Sequence, residues 1–340
     1  MNESLEAIEP ERKHRFRFLA LVKIAVAIFI FTYLFSQTSP LELLSLINRI
    51  DLANVCICIA VLFWLNLSIA IRWRFILRHF GKELQIASLW RFTMIGAFFN
   101  QFLPTGMGGD LFRIGYVRKS GVPLITAVTS VVVDRIIGFL SLFILVGIGA
   151  PYLFTITHRG AVTTTLLFLL SLLATAIFLF IRFDLLYRAL SNLPYIKKSD
   201  SSQGFFAHFI KSIDQCAEDT RSLLRKWPDG FIVIFLSFAN QTMLGLVVFL
   251  LARGLGGHLE LIDAVVVFPF VLLLSMIPIS LAGWGLRETA MVVVFGLRGM
   301  PKEIALGVSV LFGICLILSA LPGAFLWLVA HYDGSKRLDD

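Results

Sequence analysis

The sequence predicts an all-α membrane protein, a polytopic helix bundle with about eight transmembrane segments. Hydrophobic residues make up 58% of the 340 residues and charged residues only 15%, against roughly 25% in an average soluble domain. Apolar stretches of about 20 residues, the length that a helix needs to cross a bilayer, recur along the chain. These observations exclude a soluble globular protein and a disordered one. Four cysteines in a chain of this size also exclude a disulfide scaffold.

Six apolar stretches have the composition of single spans. We interpret the first as an uncleaved span rather than a signal peptide, because it is nearly long enough to cross the membrane and no small-residue cleavage site follows it. The predicted spans are residues 19–35, 52–71, 136–154, 161–180, 231–251 and 305–330.

Basic residues predict the orientation of the spans, since cytoplasmic loops carry an excess of Lys and Arg. The net charge of +8 therefore indicates orientation and contact with anionic lipids rather than binding of nucleic acid. We expect a cytoplasmic N-terminal segment at 1–14, a transmembrane domain at 15–330 and a cytoplasmic tail at 331–340. Within the domain, the basic loop 182–229 should be cytoplasmic. Apolar residues at helical spacing between Phe206 and Ala217 predict an amphipathic helix in that loop, lying on the membrane surface or on the bundle.

Two further apolar regions, 86–133 and 261–300, are interrupted by Pro and Gly. Backbone freed by these residues at membrane depth is tolerated only where protein or a cavity satisfies it, so both regions are candidates for function. Each runs from an apolar helix through Pro and glycines to an acid and an Arg. Paired interruptions of this kind are typical of a transporter substrate site at a repeat interface, and either re-entrant or complete helices fit the pattern. The interrupting residues are Pro104, Gly106, Gly108, Gly109, Gly121, Pro123, Pro269, Pro278, Gly283 and Gly285.

The first interrupted region offers a candidate phosphate site. Asp110 and Arg113 are three residues apart and share a helical face, so they can pair. The glycines before them can leave amide groups pointing into a cavity, where a phosphate or carboxylate would bind, and Arg113 can add a bidentate contact. The alternative is an ordinary ion pair in a loop at the membrane surface.

Four other charged residues lie in or beside apolar stretches. Asp134 and Arg135 stand in an apolar run, where ionisable residues are costly and usually face the bundle interior; a helix-end ion pair is the alternative for Asp134. Glu288 follows Arg287 at the predicted start of a helix, where the helix dipole favours an acid on structural grounds alone. The functional alternative for Glu288 rests on the likeness between the two interrupted regions.

The segments NQFLPTGMGGDLFR at 100–113, AVTSVVVDRIIG at 127–138 and PISLAGWGLRE at 278–288 together resemble the lysylphosphatidylglycerol synthase transmembrane region, or flippase-like, family. In the bacterial multiple peptide resistance factor, a domain of this kind is thought to move aminoacylated phosphatidylglycerol across the inner membrane, and a separate soluble domain makes that lipid. The present sequence shows no such soluble domain. The resemblance implies a multi-pass protein of the bacterial inner membrane, and the Lys and Arg bias predicts that both termini are cytoplasmic.

From residues and resemblance together, we expect translocation of an anionic phospholipid or lipid-linked substrate, with its headgroup in a polar cavity between the two interrupted regions. No metal, cofactor or nucleic acid is expected, and Glu288 is the first candidate for ion or proton coupling. A membrane-embedded lipid transferase, or an accessory subunit of a lipid-biosynthesis enzyme, is the alternative; a homo-oligomer fits as well. The candidate substrate-binding residues are Asn100, Pro104, Gly106, Gly109, Asp110, Arg113, Asp134, Arg135, Pro278, Gly283, Gly285, Arg287 and Glu288.

Overall fold

The computed structural model describes residues 51–102, 108–156, 205–276 and 285–336. Within these ranges the chain forms nine α-helices and no strand, which confirms the predicted all-α class. The helices are α1 (Leu52–His79), α2 (Ile86–Phe102), α3 (Gly108–Lys119), α4 (Leu124–Ile156), α5 (Phe205–Arg225), α6 (Asp229–Gly254), α7 (Leu261–Ser275), α8 (Leu286–Gly296) and α9 (Lys302–Lys336).

Four of these helices, α1, α4, α6 and α9, are long and apolar enough to cross a membrane. They correspond to four of the six predicted spans, and the other two, 19–35 and 161–180, lie outside the described residues. The protein is therefore a polytopic membrane protein.

The structure corrects two predicted boundaries and one predicted interruption. The fourth helix begins at Leu124, directly after Gly121 and Pro123, so the first interrupted region does not extend to Val133 as predicted. The second predicted span, 52–71, continues to His79. Pro269 lies inside α7 and does not break it, because a proline removes only one backbone donor and a helix can accommodate that loss within a membrane bundle.

Helices α2 and α3 form an antiparallel hairpin around the undescribed residues 103–107. Near the tip, the Gly109 amide donates to Asn100 Oδ1 at 2.8 Å. Further from the tip, the ring of Phe99 stacks on that of Phe112 with centroids 3.8 Å apart. With 17 and 12 residues, neither helix reaches the roughly 20 residues of a complete crossing.

Helices α7 and α8 form a second hairpin, around the undescribed residues 277–284. The two helices pack against each other, and α8 also packs against α9. Arg298, just after α8, donates from Nε to Asp263 Oδ1 at 2.9 Å, so the ion pair closes the open end of the hairpin. These helices contain 15 and 11 residues and are again too short to span. In chain order, a short hairpin thus follows α1 and precedes α4, and another follows α6 and precedes α9.

The described chain divides into two compact units. The first contains residues 51–66, 91–102, 108–113, 242–276 and 285–336. The second contains residues 67–90, 114–156 and 205–241.

The predicted amphipathic helix of the basic loop is confirmed as α5, which packs against α4 in the second unit. Ala217 and Leu223 are completely buried on its apolar face. Burial, followed by the charge of Asp219, raises the pKa of the Cys216 thiol on the same helix, so this thiol stays protonated at neutral pH.

Candidate functional site

Arg113 and Asp110 form a buried ion pair in the first unit. Arg113 Nη1 lies 3.3 Å from Asp110 Oδ1, and the two residues are only 4% and 8% exposed. Both stand on α3, with Asp110 in its first turn, where the helix dipole favours an acid. The predicted pairing is confirmed, and its burial does not fit an ion pair in a surface loop.

Gly109 acts in helix packing rather than as an open anion nest. A Cβ on Gly109 would lie 1.9 Å from the carbonyl oxygen of Gly96, so the backbones of α2 and α3 meet at this point. The Gly109 amide is taken up by Asn100, and a Cβ on Gly96 would lie 3.0 Å from Cγ of Arg113. The Gly109 amide is therefore engaged within the hairpin, and the predicted role of the other glycine amides, at 106 and 108, stays a prediction. The close approach of Gly96 helps to set the position of the Arg113 side chain.

The second hairpin carries a buried charged cluster, also in the first unit. Arg287 Nη2 donates to Glu288 Oε1 at 2.8 Å, and the hydroxyl of Ser309 on α9 donates to the same oxygen at 3.0 Å. The other carboxylate oxygen accepts the Gly285 amide, which precedes α8 with φ of +88°. Glu288 is completely buried. The carboxylate thus caps α8 and orients Arg287, whose guanidinium carbon lies 5.5 Å from the centre of the Phe312 ring.

Asp134 belongs to the second unit and has a partner that sequence reasoning missed. Arg72 Nε donates to Asp134 Oδ1 at 2.8 Å, and Arg72 Nη1 donates to the hydroxyl of Ser237 at 3.0 Å. Asp134 is 1% exposed and is the eleventh residue of α4, so a helix-end ion pair is excluded. Arg135, its neighbour in sequence, is half-buried.

We expect Asp134→Leu to lower the free energy of unfolding by about 3 kcal/mol, because removing one partner leaves the Arg72 guanidinium buried without its carboxylate. The double variant Arg72→Met/Asp134→Leu should recover most of that loss, since both charges are then gone. Thermal unfolding of the detergent-solubilised protein measures both. A double variant no more stable than the single one would contradict this account.

Several predicted site residues cannot be placed. Pro104, Gly106, Pro278 and Gly283 lie outside the described residues. Among the described residues, no group of three His, Cys, Asp or Glu side chains is placed to hold a metal ion.

Comparison with known proteins decides the family. Residues 20–323 match the model of the lysylphosphatidylglycerol synthase TM region. The chain belongs to this family. It is also similar to a UPF0104 membrane protein of Methanocaldococcus jannaschii, with 24% identity over 80% of this chain and 83% of the relative. A UPF0104 membrane protein of Pyrococcus horikoshii is 22% identical over 78% of this chain and 82% of the relative.

Proposed function

We propose that this family member translocates an anionic phospholipid or lipid-linked substrate across the bacterial inner membrane. The observation that carries the proposal is the buried Asp110–Arg113 pair on a hairpin too short to span the membrane. Burying an arginine among apolar helices is costly and usually marks a substrate pathway. Arg113 would bind the headgroup phosphate through its planar fork, and Asp110 would hold that fork in place.

The second charged cluster supports the same function. Arg287 and Glu288 lie on a second short hairpin, and both hairpins contribute to the first unit. In this proposal the two hairpins line one polar cavity, with Arg287 as a further phosphate contact. Glu288 already accepts hydrogen bonds on both carboxylate oxygens. This favours a role in orienting Arg287 over a role in carrying a proton across the membrane.

An apolar groove in the first unit offers room for a lipid tail. It has a volume of about 520 Å³ and lies between α1 and α9. Its lining includes Phe63, Trp64 and Pro322. The next residue, Gly323, packs on the α2 backbone, since a Cβ there would lie 2.1 Å from the Met94 carbonyl oxygen. Helix α9, which lines one side of the groove, therefore also contacts α2, whose Gly96 lies against the Arg113 side chain.

The repeated order of span, hairpin and span supports an inverted repeat. If each hairpin returns to the side from which it enters, and residues 161–180 cross once, the second copy has the opposite orientation to the first. Reporter fusions at Lys198 and Asp340 should then both report a cytoplasmic location, as the Lys and Arg bias predicts. A periplasmic signal from either fusion would contradict this topology.

The cavity model predicts that the two hairpins can be crosslinked. Gly109 has no room for a side chain, so we place one cysteine two residues further, at Leu111 on α3. The other cysteine is placed at Thr289 on α8. Cys56 is the exposed native cysteine and is first replaced by alanine. A short bifunctional thiol reagent should join the two positions within one chain. The variant with a cysteine at Leu111 only serves as the control and should form no link within one chain. Failure of the Leu111–Thr289 pair to crosslink would remove the shared cavity.

Transport in vesicles tests the function itself. Vesicles that contain only this protein and a fluorescent phosphatidylglycerol should show exchange of the label between leaflets, which protein-free vesicles should not show. Recovery of the lipid unchanged supports translocation. A chemically modified lipid would instead identify a transferase, and neither outcome would identify an accessory subunit.

A further inference from the structure

A cluster of basic side chains gathers where α1 ends and α6 begins, in the second unit. The Asp229 carboxylate is 4% exposed and accepts a hydrogen bond from Arg78 on one oxygen, while Lys226 Nζ lies 3.9 Å from the other. Two cations thus share one buried acid, and their side chains are 47% and 55% exposed. Arg74, one turn before Arg78, and Arg225 are also exposed. We call Arg74, Arg78, Arg225 and Lys226 the basic cluster.

The cluster is held in place by contacts between helices. The Arg78 hydrogen bond to Asp229 joins the end of α1 to the start of α6. One residue further, His79 Nε2 and the hydroxyl of Ser222 on α5 lie 2.9 Å apart. Arg78 is therefore positioned before any ligand arrives. Glu218, an exposed acid on α5, is already paired with Arg221 at 2.8 Å.

An exposed aromatic stripe runs from the basic cluster along α6. Phe231 and Phe235 are four residues apart on α6 and share one face of it, and the ring of Trp227, two residues before the helix, packs on that of Phe231. The three side chains, Trp227, Phe231 and Phe235, are 75%, 55% and 60% exposed. Their neighbouring ring centroids are 5.2 and 6.3 Å apart. Because α6 is a membrane span, this face meets lipid, and Trp is enriched where a span leaves the hydrocarbon. The stripe places the basic cluster at the depth of the lipid headgroups.

We propose that the basic cluster and the aromatic stripe bind an anionic phospholipid of the surrounding leaflet, separately from the transport site. The phosphate would lie against Arg225, Lys226 and the exposed edge of Arg78, with an acyl chain along Phe231 and Phe235. A soluble anionic partner would explain the basic cluster but not the aromatic stripe. Because the stripe continues from the cluster along a membrane span, a lipid explains both.

The test uses Trp227 as a local reporter in vesicles that contain the full-length protein. The Trp227 signal is the fluorescence of the wild type minus that of Trp227→Phe. Brominated phosphatidylglycerol should quench this signal at a lower mole fraction than brominated phosphatidylcholine. Each cation near an anionic surface strengthens the attraction roughly fivefold, so Arg225→Gln/Lys226→Gln should weaken the preference at least fivefold.

The matched control is Arg253→Gln/Lys302→Gln, which removes two exposed cations elsewhere in the chain and should keep the preference. Raising the salt concentration on the wild type tests the same attraction without a substitution, because the Debye length falls from about 30 Å at 0.01 M to about 3 Å at 1 M. Equal quenching by both lipids, an unchanged preference at high salt, or equal losses in both double variants would overturn the proposal. Removal of the preference by soluble glycerol phosphate at constant ionic strength would identify a free-phosphate site and overturn it as well.

Discussion

Arg113→Lys should abolish most lipid transport, with a loss of at least tenfold in the vesicle assay, while the protein still inserts into the membrane. Lysine keeps the charge but lacks the planar fork that binds a phosphate through two parallel hydrogen bonds. The Arg113 side chain is 4% exposed and lies against Gly96, so its guanidinium has a fixed position that an ammonium on a flexible stem would not reproduce.

Two variants separate this effect from a general loss of structure. Arg118→Lys, on the same helix but exposed, should transport at the wild-type rate. Asp110→Asn should be milder than Arg113→Lys, since an amide oxygen can still accept the hydrogen bond from Arg113. Full transport by Arg113→Lys would remove the phosphate-binding role and leave the pair as a structural contact.

The sequence predicted the helices better than it predicted which side chains the charged residues contact. Composition and the length of apolar stretches identified the four described spans, and Pro and Gly marked both hairpins. Boundaries near the interruptions were less accurate, because Gly121 and Pro123 were interpreted as part of the interruption, whereas they mark the start of α4. Pro269 was misinterpreted for a related reason: the sequence does not show whether neighbouring helices satisfy the carbonyl that a proline leaves free.

The partners of charged residues depend on long-range contacts that spacing does not contain. Asp110 and Arg113 are three residues apart, so their pairing followed from helical geometry alone. Arg72 and Asp134 are 62 residues apart, so their spacing in the sequence does not predict the pair. Nothing in the sequence around Ser309 indicated that its hydroxyl would bind Glu288. An arginine close to a predicted span end, with an acid inside a later span, is the one hint that could have suggested the pair.

Glycine is ambiguous in sequence for a physical reason. The same missing Cβ lets a backbone bind an anion and lets two helices touch. Near Gly109 the sequence favoured the first role, and the structure shows the second, because Gly96 lies opposite on α2. Only the position of the second helix distinguishes the two roles.

Gly109→Ala should lower the free energy of unfolding by about 3 kcal/mol or more, at the upper end of the cost of overpacking a core, because the added methyl group would meet backbone rather than a movable side chain. The methyl carbon would lie 1.9 Å from the Gly96 carbonyl oxygen, so α2 and α3 must separate. Thermal unfolding in detergent, read by loss of the monodisperse species, measures the effect.

Gly115→Ala is the matched control for this prediction. Gly115 lies on the same helix, but a Cβ there would meet no atom within 4 Å, and alanine favours a helix over glycine by about 1 kcal/mol. This variant should be as stable as the wild type or slightly more so. Separation of α2 from α3 would also displace the Arg113 side chain, so Gly109→Ala should lose transport together with stability. A Gly109→Ala protein that is stable but inactive would contradict the packing role and return the Gly109 amide to the substrate site.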